Sequence, residues 1–262
     1  MSSFADRYGP WALVAGASEG LGAAFAAALA ARGLNVILVA RRAPVLEELA
    51  ARLRAAHGVE VRVAAIDLAS PTLLDELRAV TADVEVGLLV YNAAYSKIGP
   101  FLDLSLDDKL KTLDVNCRGP LVLCDELGRR MVARGRGGIL LMASMAANQG
   151  SALIATYAAS KAFDLVLAES LWDELGEHGV DVLACRAGAT RTPNYERSRP
   201  ATETGPLMEP EVVVAEALAA LGKTPSMVPG WINSAAAFLM GKVMPRKAAV
   251  VTMGKATRKM YR

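Results

Sequence analysis

Trp11-Ala12-Leu13-Val14-Ala15-Gly16-Ala17-Ser18-Glu19-Gly20-Leu21-Gly22 is a five-residue apolar run that breaks into a turn with three glycines and opens onto an alanine-rich stretch. An uninterrupted apolar run is the pattern of a strand buried on both faces, and the alanines that follow favour a helix. Glycines at such a strand-to-helix turn permit positive φ and let backbone N–H groups approach a pyrophosphate, while the helix N-terminus adds partial positive charge. Gly16, Ser18, Glu19, Gly20, Leu21 and Gly22 are therefore candidate dinucleotide contacts.

Outward from this turn, the same alternation recurs. Strand patterns at 36–40, 61–66, 87–91, 139–143 and 180–185 alternate with helical patterns at 20–32, 44–56, 71–80, 107–134 and 155–176. Repeated βαβ units of this kind predict a doubly wound α/β domain, with one parallel sheet of about seven strands and helices on both faces. Residues 188–210 are rich in Pro, Thr, Arg and Glu and follow neither period, so they are expected to form a loop that acts as a substrate lid. Helices are expected at 211–221, 231–241 and 245–260. The whole chain, 1–262, reads as one domain with a C-terminal helical extension from 229.

Composition supports a packed protein: 53% of the 262 residues are hydrophobic and 21% charged. That balance excludes a disordered or collagen-like chain. The formal net charge of +2 gives no general reason to bind nucleic acid. Basic charge does collect at the end, in Lys242, Arg246, Lys247, Lys255, Arg258, Lys259 and Arg262, which reads first as a solvated helix face and second as a contact with an acidic ligand or, peripherally, with an anionic membrane. No secretory signal or transmembrane stretch is recognisable, and three scattered cysteines suit a reducing compartment, so a cytoplasmic location is expected. His57 and His178 sit in helix-end contexts, and no metal site is expected.

About 20 residues past the glycines, where an acid would accept the ribose hydroxyl of NAD, stand Arg41 and Arg42. Two guanidinium groups suit a 2′-phosphate, so the expected cofactor is NADP(H). Tyr157 and Lys161 are four apart, on one face of a helix, which places an ammonium beside a phenol and favours the phenolate. Ser144 ends the fifth strand 13 residues before Tyr157, and Asn116 lies 28 residues before Ser144.

Taken together, the Gly16/Gly20/Gly22 turn, Asp67, Tyr91-Asn92-Ala93-Ala94, Asn116, Ser144 and Tyr157-Ala158-Ala159-Ser160-Lys161 resemble the compact branch of the short-chain dehydrogenase/reductase superfamily. The resemblance implies a Rossmann-type fold and a set of roles. Tyr157 would be the general acid or base, Ser144 would polarise the substrate carbonyl, Lys161 would hold the nicotinamide ribose, and Asn116 would position a water in a proton relay. Asp67 would contact adenine and Asn92 line the cofactor path, with Leu68, Ala93, Ala94, Gly188 and Thr190 beside them. Thr192 would reach the carboxamide or pyrophosphate. It also implies a homodimer or homotetramer formed through the helices near 112–134 and 157–175.

Four positions depart from the family pattern: Ala15, Tyr91, Ala94 and Ala187. None removes a catalytic group. The segments 8–11, 33–38 and 255–261 are similar to the branch containing 17β-hydroxysteroid dehydrogenases and 3-oxoacyl-CoA reductases, which implies a bulky, lipophilic ketone or alcohol as substrate. Met145, Ile154, Trp231, Phe238 and Met240 are the apolar residues expected nearest the cleft, with ordinary core packing as the alternative. The resemblance also disfavours enoyl reduction, since relatives with that activity place Tyr and Lys farther apart than the three residues between Tyr157 and Lys161. The competing reading outside enzymology is a redox sensor that binds NADP and acts through a protein partner, which gives no reason for Asn116, Ser144, Tyr157 and Lys161 to stand in register.

Overall fold

The computed structural model describes residues 3–198 and 207–261. Seven strands form one parallel sheet: β1 Trp11–Ala15, β2 Asn35–Ala40, β3 Val61–Ala65, β4 Val86–Tyr91, β5 Gly137–Ser144, β6 Val180–Ala187 and β7 Ser226–Met227. Their order is β3-β2-β1-β4-β5-β6-β7. The connections reverse direction between β1 and β4, so a crevice opens beyond Ala15 and Tyr91, where α/β sheets of this kind bind ligands.

Helices are α1 Phe4–Tyr8, α2 Gly20–Ala30, α3 Ala43–His57, α4 Leu73–Thr81, α5 Leu106–Leu113, α6 Gly119–Arg134, α7 Ala155–Gly176, α8 Pro193–Ser198, α9 Pro210–Ala220, α10 Trp231–Phe238 and α11 Arg246–Tyr261. Alternate strand residues feed two cores. Val14, Leu38, Leu88, Leu140 and Leu183 pack against Phe25, Leu29, Leu46 and Val213 on one face. Leu13, Ile37, Leu89, Ile139 and Val182 pack against Leu77, Leu127, Met131 and Ala168 on the other. Each fully buried Leu or Ile contributes about 1.5–3 kcal/mol relative to exposure. Continuous apolar strands are the direct result of having a core on both sides.

One expectation is corrected, and two helices carry an irregularity that the sequence did not show. The expected helical stretch 107–134 is helical from Leu106 to Arg134, with a π-turn at Asp114–Arg118 between α5 and α6; helical periodicity alone does not show such a one-residue insertion. The same holds at 231–241, where a π-turn at Leu239–Val243 follows α10. The loop 188–210 is not structureless: α8 lies inside it, and its base is closed by a bridge between Thr190 and Met208. Residues 199–206 of that expected loop lie outside the described residues. The strand β7 is only two residues long, too short to show a period.

Among the described residues, no helix is long and apolar enough to cross a membrane. The basic helix α11 docks on the loop after β5. Thr257 and Ser151 share a buried hydrogen bond of 2.6 Å, and Arg246 donates to the Asn148 carbonyl at 2.5 Å.

Candidate active site

The crevice holds a cavity of about 470 Å³, lined by the glycine turn, the end of β2 and the loops after β3 and β4. Gly16 has φ +84°, and a Cβ there would stand 2.6 Å from the Ala93 nitrogen. At Gly22 a Cβ would come within 2.0 Å of the Gly16 carbonyl oxygen. The turn can therefore lie flat against β4 only with glycine at both positions. Asn92 fixes it from the other side, its Nδ2 donating to the Gly16 carbonyl at 3.0 Å.

Of the residues expected to contact a dinucleotide, Gly16, Ser18, Glu19, Gly20, Leu21, Arg41, Arg42, Asp67, Leu68, Asn92, Ala93, Ala94 and Thr192 line this cavity. Gly22 lies beneath the turn, while Gly188 and Thr190 stand outside the cavity wall, Thr190 donating to the Gly188 carbonyl at 3.0 Å. Sequence reasoning missed Tyr95, Lys111, Asn194 and Arg197, which also line it. Lys111 and Arg197 carry no local signal, since each looks like a charge on an exposed helix face.

Arg42 does not reach into open space. Its Nη2 donates to Ser18 Oγ at 3.1 Å and to Glu19 Oε2 at 2.9 Å. Glu19 also accepts from Arg197 Nη2 at 2.5 Å, so one carboxylate of the glycine turn joins the end of β2 to α8. Burial works against the Glu19 charge, but Arg197 and Arg42 outweigh it and hold the carboxyl below its ordinary pKa.

Outside this cavity, β5 and α7 carry the second group of residues, including Tyr157 and Lys161, which are also expected cofactor contacts but do not line it. Ser144 closes β5 in extended conformation, and its Oγ accepts from the Ala146 N–H at 3.1 Å, which leaves the hydroxyl hydrogen for a substrate oxygen. Tyr157 lies half-buried in the first turn of α7. It borders a separate small hollow with Lys97, Phe101 and Thr156 rather than the main cavity. Just before α7, Leu153 adopts φ +66°, the sole positive φ of a non-glycine among the described residues, in a loop whose carbonyl accepts from Gly99 at 2.9 Å.

Asn116 occupies the π-turn and is fully buried. Its Oδ1 accepts from the Tyr95 N–H at 2.7 Å, and its Nδ2 donates to the Tyr95 carbonyl at 3.0 Å and to Ser160 Oγ at 2.9 Å. Both amide hydrogens are thus committed to protein, and what this side chain does directly is pin the loop after β4 to α7. Lys161 is buried as well. Its Nζ donates to the Met142 carbonyl at 2.7 Å and to Asp164 Oδ2 at 2.9 Å. Burial opposes the ammonium charge, yet Asp164 and Tyr157 outweigh it and hold Lys161 above the ordinary lysine pKa. Asp164, whose own pKa burial raises against the pull of Lys161, is a second partner that sequence reasoning missed.

The apolar residues expected near the cleft divide. Met145 lies in the turn after β5 and would meet a Cβ on Gly188 at 3.2 Å. Trp231 and Phe238 are 81% and 64% exposed, so neither is core nor the wall of a closed pocket in one chain. Of the cysteines, Cys124 and Cys185 are buried as expected of core fillers, and all three are free thiols. Among the described residues, no group of three His, Cys, Asp or Glu side chains could hold a metal ion.

The glycine cradle thus lies at the switch point, Ser144 ends β5, and Tyr157 and Lys161 stand in the first two turns of α7. The sequence profile of the short chain dehydrogenase family matches residues 10–203. The chain belongs to that family. It is an oxidoreductase. It is 32% identical over 233 residues to a 7β-hydroxysteroid dehydrogenase of Collinsella aerofaciens, covering 87% of this chain and 89% of the relative. A very-long-chain 3-oxoacyl-CoA reductase of Podospora anserina is 38% identical over 181 residues, which cover 67% of this chain and 53% of that one. A solved 7β-hydroxysteroid dehydrogenase structure superposes with a TM-score of 0.90 at 29% identity, over 96% of this chain and 99% of the other.

Proposed function

We propose that this family member uses NADP(H) to reduce a ketone or aldehyde, or to oxidise the matching secondary alcohol, on a bulky lipophilic substrate of the steroid or acyl class. The observation that carries the reading is the glycine-turn cavity at the β1/β4 switch point, on a sheet whose strand β5 ends at Ser144 and whose helix α7 carries Tyr157 and Lys161. The cradle at Gly16 and Gly22 fits a pyrophosphate, and Arg41 and Arg42 at its rim fit a 2′-phosphate. A bound nicotinamide would supply the hydride.

The protein's own part is proton transfer and positioning. The Ser144 hydroxyl donates to the substrate carbonyl and polarises it. Tyr157 gives its phenolic proton to the same oxygen in reduction and takes one back in oxidation. Lys161 holds the nicotinamide ribose, Asp67 the adenine, and Thr192 reaches over from the lid. The described parts of the lid, 188–198 and 207–210, and of the extension, 229–261, shape the substrate end of this one catalytic unit.

The names of the relatives support the substrate class. Apolar side chains exposed on α5, α6 and α7 support a homodimer or homotetramer: Leu106, Leu110 and Leu113 form a stripe at helical spacing, and Leu121 on α6 and Val166 on α7 are exposed as well. Light scattering tests it, and a monomer at micromolar concentration removes that part of the reading. The main test is NADPH consumption against steroid ketones, 3-oxoacyl thioesters and small carbonyls, with NADH and Tyr157→Phe as controls. Turnover that requires NADPH and Tyr157 is expected. Tight NADPH binding without turnover across the panel would count against it.

A further inference from the structure

The chemistry above calls for a lysine beside the tyrosine, but not for the carboxylate that the lysine holds. Asp164 lies on α7 three residues after Lys161, and both side chains are buried. Its Oδ2 is 2.9 Å from Lys161 Nζ, while its Oδ1 is equally buried and has no hydrogen-bond partner among the described residues. Lys161 in turn spans from α7 to the Met142 carbonyl on β5. Two of the three ammonium hydrogens are thereby fixed from two elements.

We propose that Asp164 is a positioning residue that keeps Lys161 protonated and aimed, so that the ammonium is presented ready-made to the ribose hydroxyls of the nicotinamide nucleotide. The inference rests on the NADP(H) reading given above. Its physical basis is that a buried ammonium sheds its proton unless an anion compensates the lost hydration. The Met142 carbonyl is neutral and cannot take that place. The dependence is mutual, since Lys161 supplies the hydrogen bond that holds the carboxylate.

The groups that face the pair come from every neighbouring element. Tyr157 lies on the same helix, Cys117 on the π-turn, Cys124 on α6 and Tyr91 on β4, with Arg118 beyond Tyr91. Burial pushes Cys117 up to about 11 and holds Cys124 and Tyr91 higher still, so these three stay neutral at ordinary pH. That leaves Asp164, 2.9 Å from Lys161 Nζ, as the carboxylate able to compensate it.

The experiment measures NADPH affinity by nicotinamide fluorescence from about pH 7 to about pH 9.5 in a Tyr157→Phe background, which removes the neighbouring phenolic hydroxyl. The parent is expected to vary less than about twofold. Adding Asp164→Asn should make the dissociation constant rise with pH, by up to about tenfold per unit once Lys161 begins to lose its proton. Lys161→Met should abolish that rise, and Asp164→Glu should restore a flat profile. A flat profile with parental affinity in the Asp164→Asn protein overturns the proposal.

Should Asp164→Asn not fold, Lys161→Met and Lys161→Met/Asp164→Leu are compared instead. Equal NADPH affinity is expected, because Asp164 acts only through the lysine; a further loss beyond about threefold shows another role and overturns the proposal. A wild-type chain that neither binds nor consumes NADPH overturns the NADP(H) reading and this inference together, which separates the two failures.

Discussion

The Tyr91 hydroxyl donates to the Val115 carbonyl at 2.5 Å, tying the end of β4 to the π-turn that carries Asn116. Tyr91 stands where the family pattern has a different residue, and the structure shows what it contributes. Burial holds its phenol far above the ordinary tyrosine pKa, so it acts as a neutral donor at working pH. Tyr91→Phe keeps the ring and leaves the carbonyl without this donor, a loss of about 1–3 kcal/mol. For a chain of this size that lowers the melting temperature by about 2–4 °C per kcal/mol. Calorimetry checks it, and an unchanged melting temperature would show that the π-turn is held by other contacts.

Arg41 and Arg42 flank the same cavity but start from different states. Arg42 is already bound to Ser18 and Glu19, so a phosphate gains its hydrogen bonds only by displacing theirs. Arg41→Ala should therefore weaken NADPH more than Arg42→Ala does. A lost charge-assisted hydrogen bond is worth about 1.5–3 kcal/mol, which predicts roughly ten- to hundredfold weaker binding for the Arg41 change. NADH affinity should move by less than about threefold. Isothermal titration with both nucleotides decides the point, and equal losses for NADH and NADPH would remove the specificity argument.

Tyr157→Phe deletes the transferred proton and leaves the ring in place. General acid–base transfer of this kind contributes about 10²–10⁴-fold, so kcat should fall by that range while NADPH affinity stays within a few-fold. Steady-state kinetics alongside fluorescence titration separates the two effects. A proportional loss of nucleotide binding would assign Tyr157 to the cofactor site and not to the chemistry.

The difference between what could be read and what could not is physical. Strands such as Trp11–Ala15 announced themselves because burial on both faces demands an unbroken apolar run, and the glycine turn because only glycine fits at positions 16 and 22. Asn116 was legible as a residue, but the π-turn around it was not, since one extra residue in a helix leaves the apolar pattern intact. The Glu19–Arg197 contact joins positions 178 residues apart, and no local pattern encodes it. Asp164 looks in sequence like one more acid on a helix; its inward direction is fixed by the rotation of α7 against β5, which the tertiary packing sets.

The thiols give a pH prediction whose sign follows from their burial. Burial pushes Cys185 up to about 12, with the Glu216 charge adding to it and Arg186 opposing. A thiol in the unfolded chain ionises near the ordinary value of 9.0, so above that pH the unfolded state releases a proton that the folded state keeps. The stability gained from a neutral buried thiol is therefore complete below about pH 9 and declines as the pH rises towards about 12, by about 1.4 kcal/mol per unit. Lysines and tyrosines titrate in the same window, so the effect is isolated by comparing wild type with Cys185→Ala in urea under reducing conditions. The variant should be less stable at pH 8 because of the cavity it leaves, and the gap should narrow by pH 10.5 by about 2 kcal/mol. A gap that stays constant across this range would mean that the thiol titrates alike in both states, and that Cys185 is open to solvent in the folded chain.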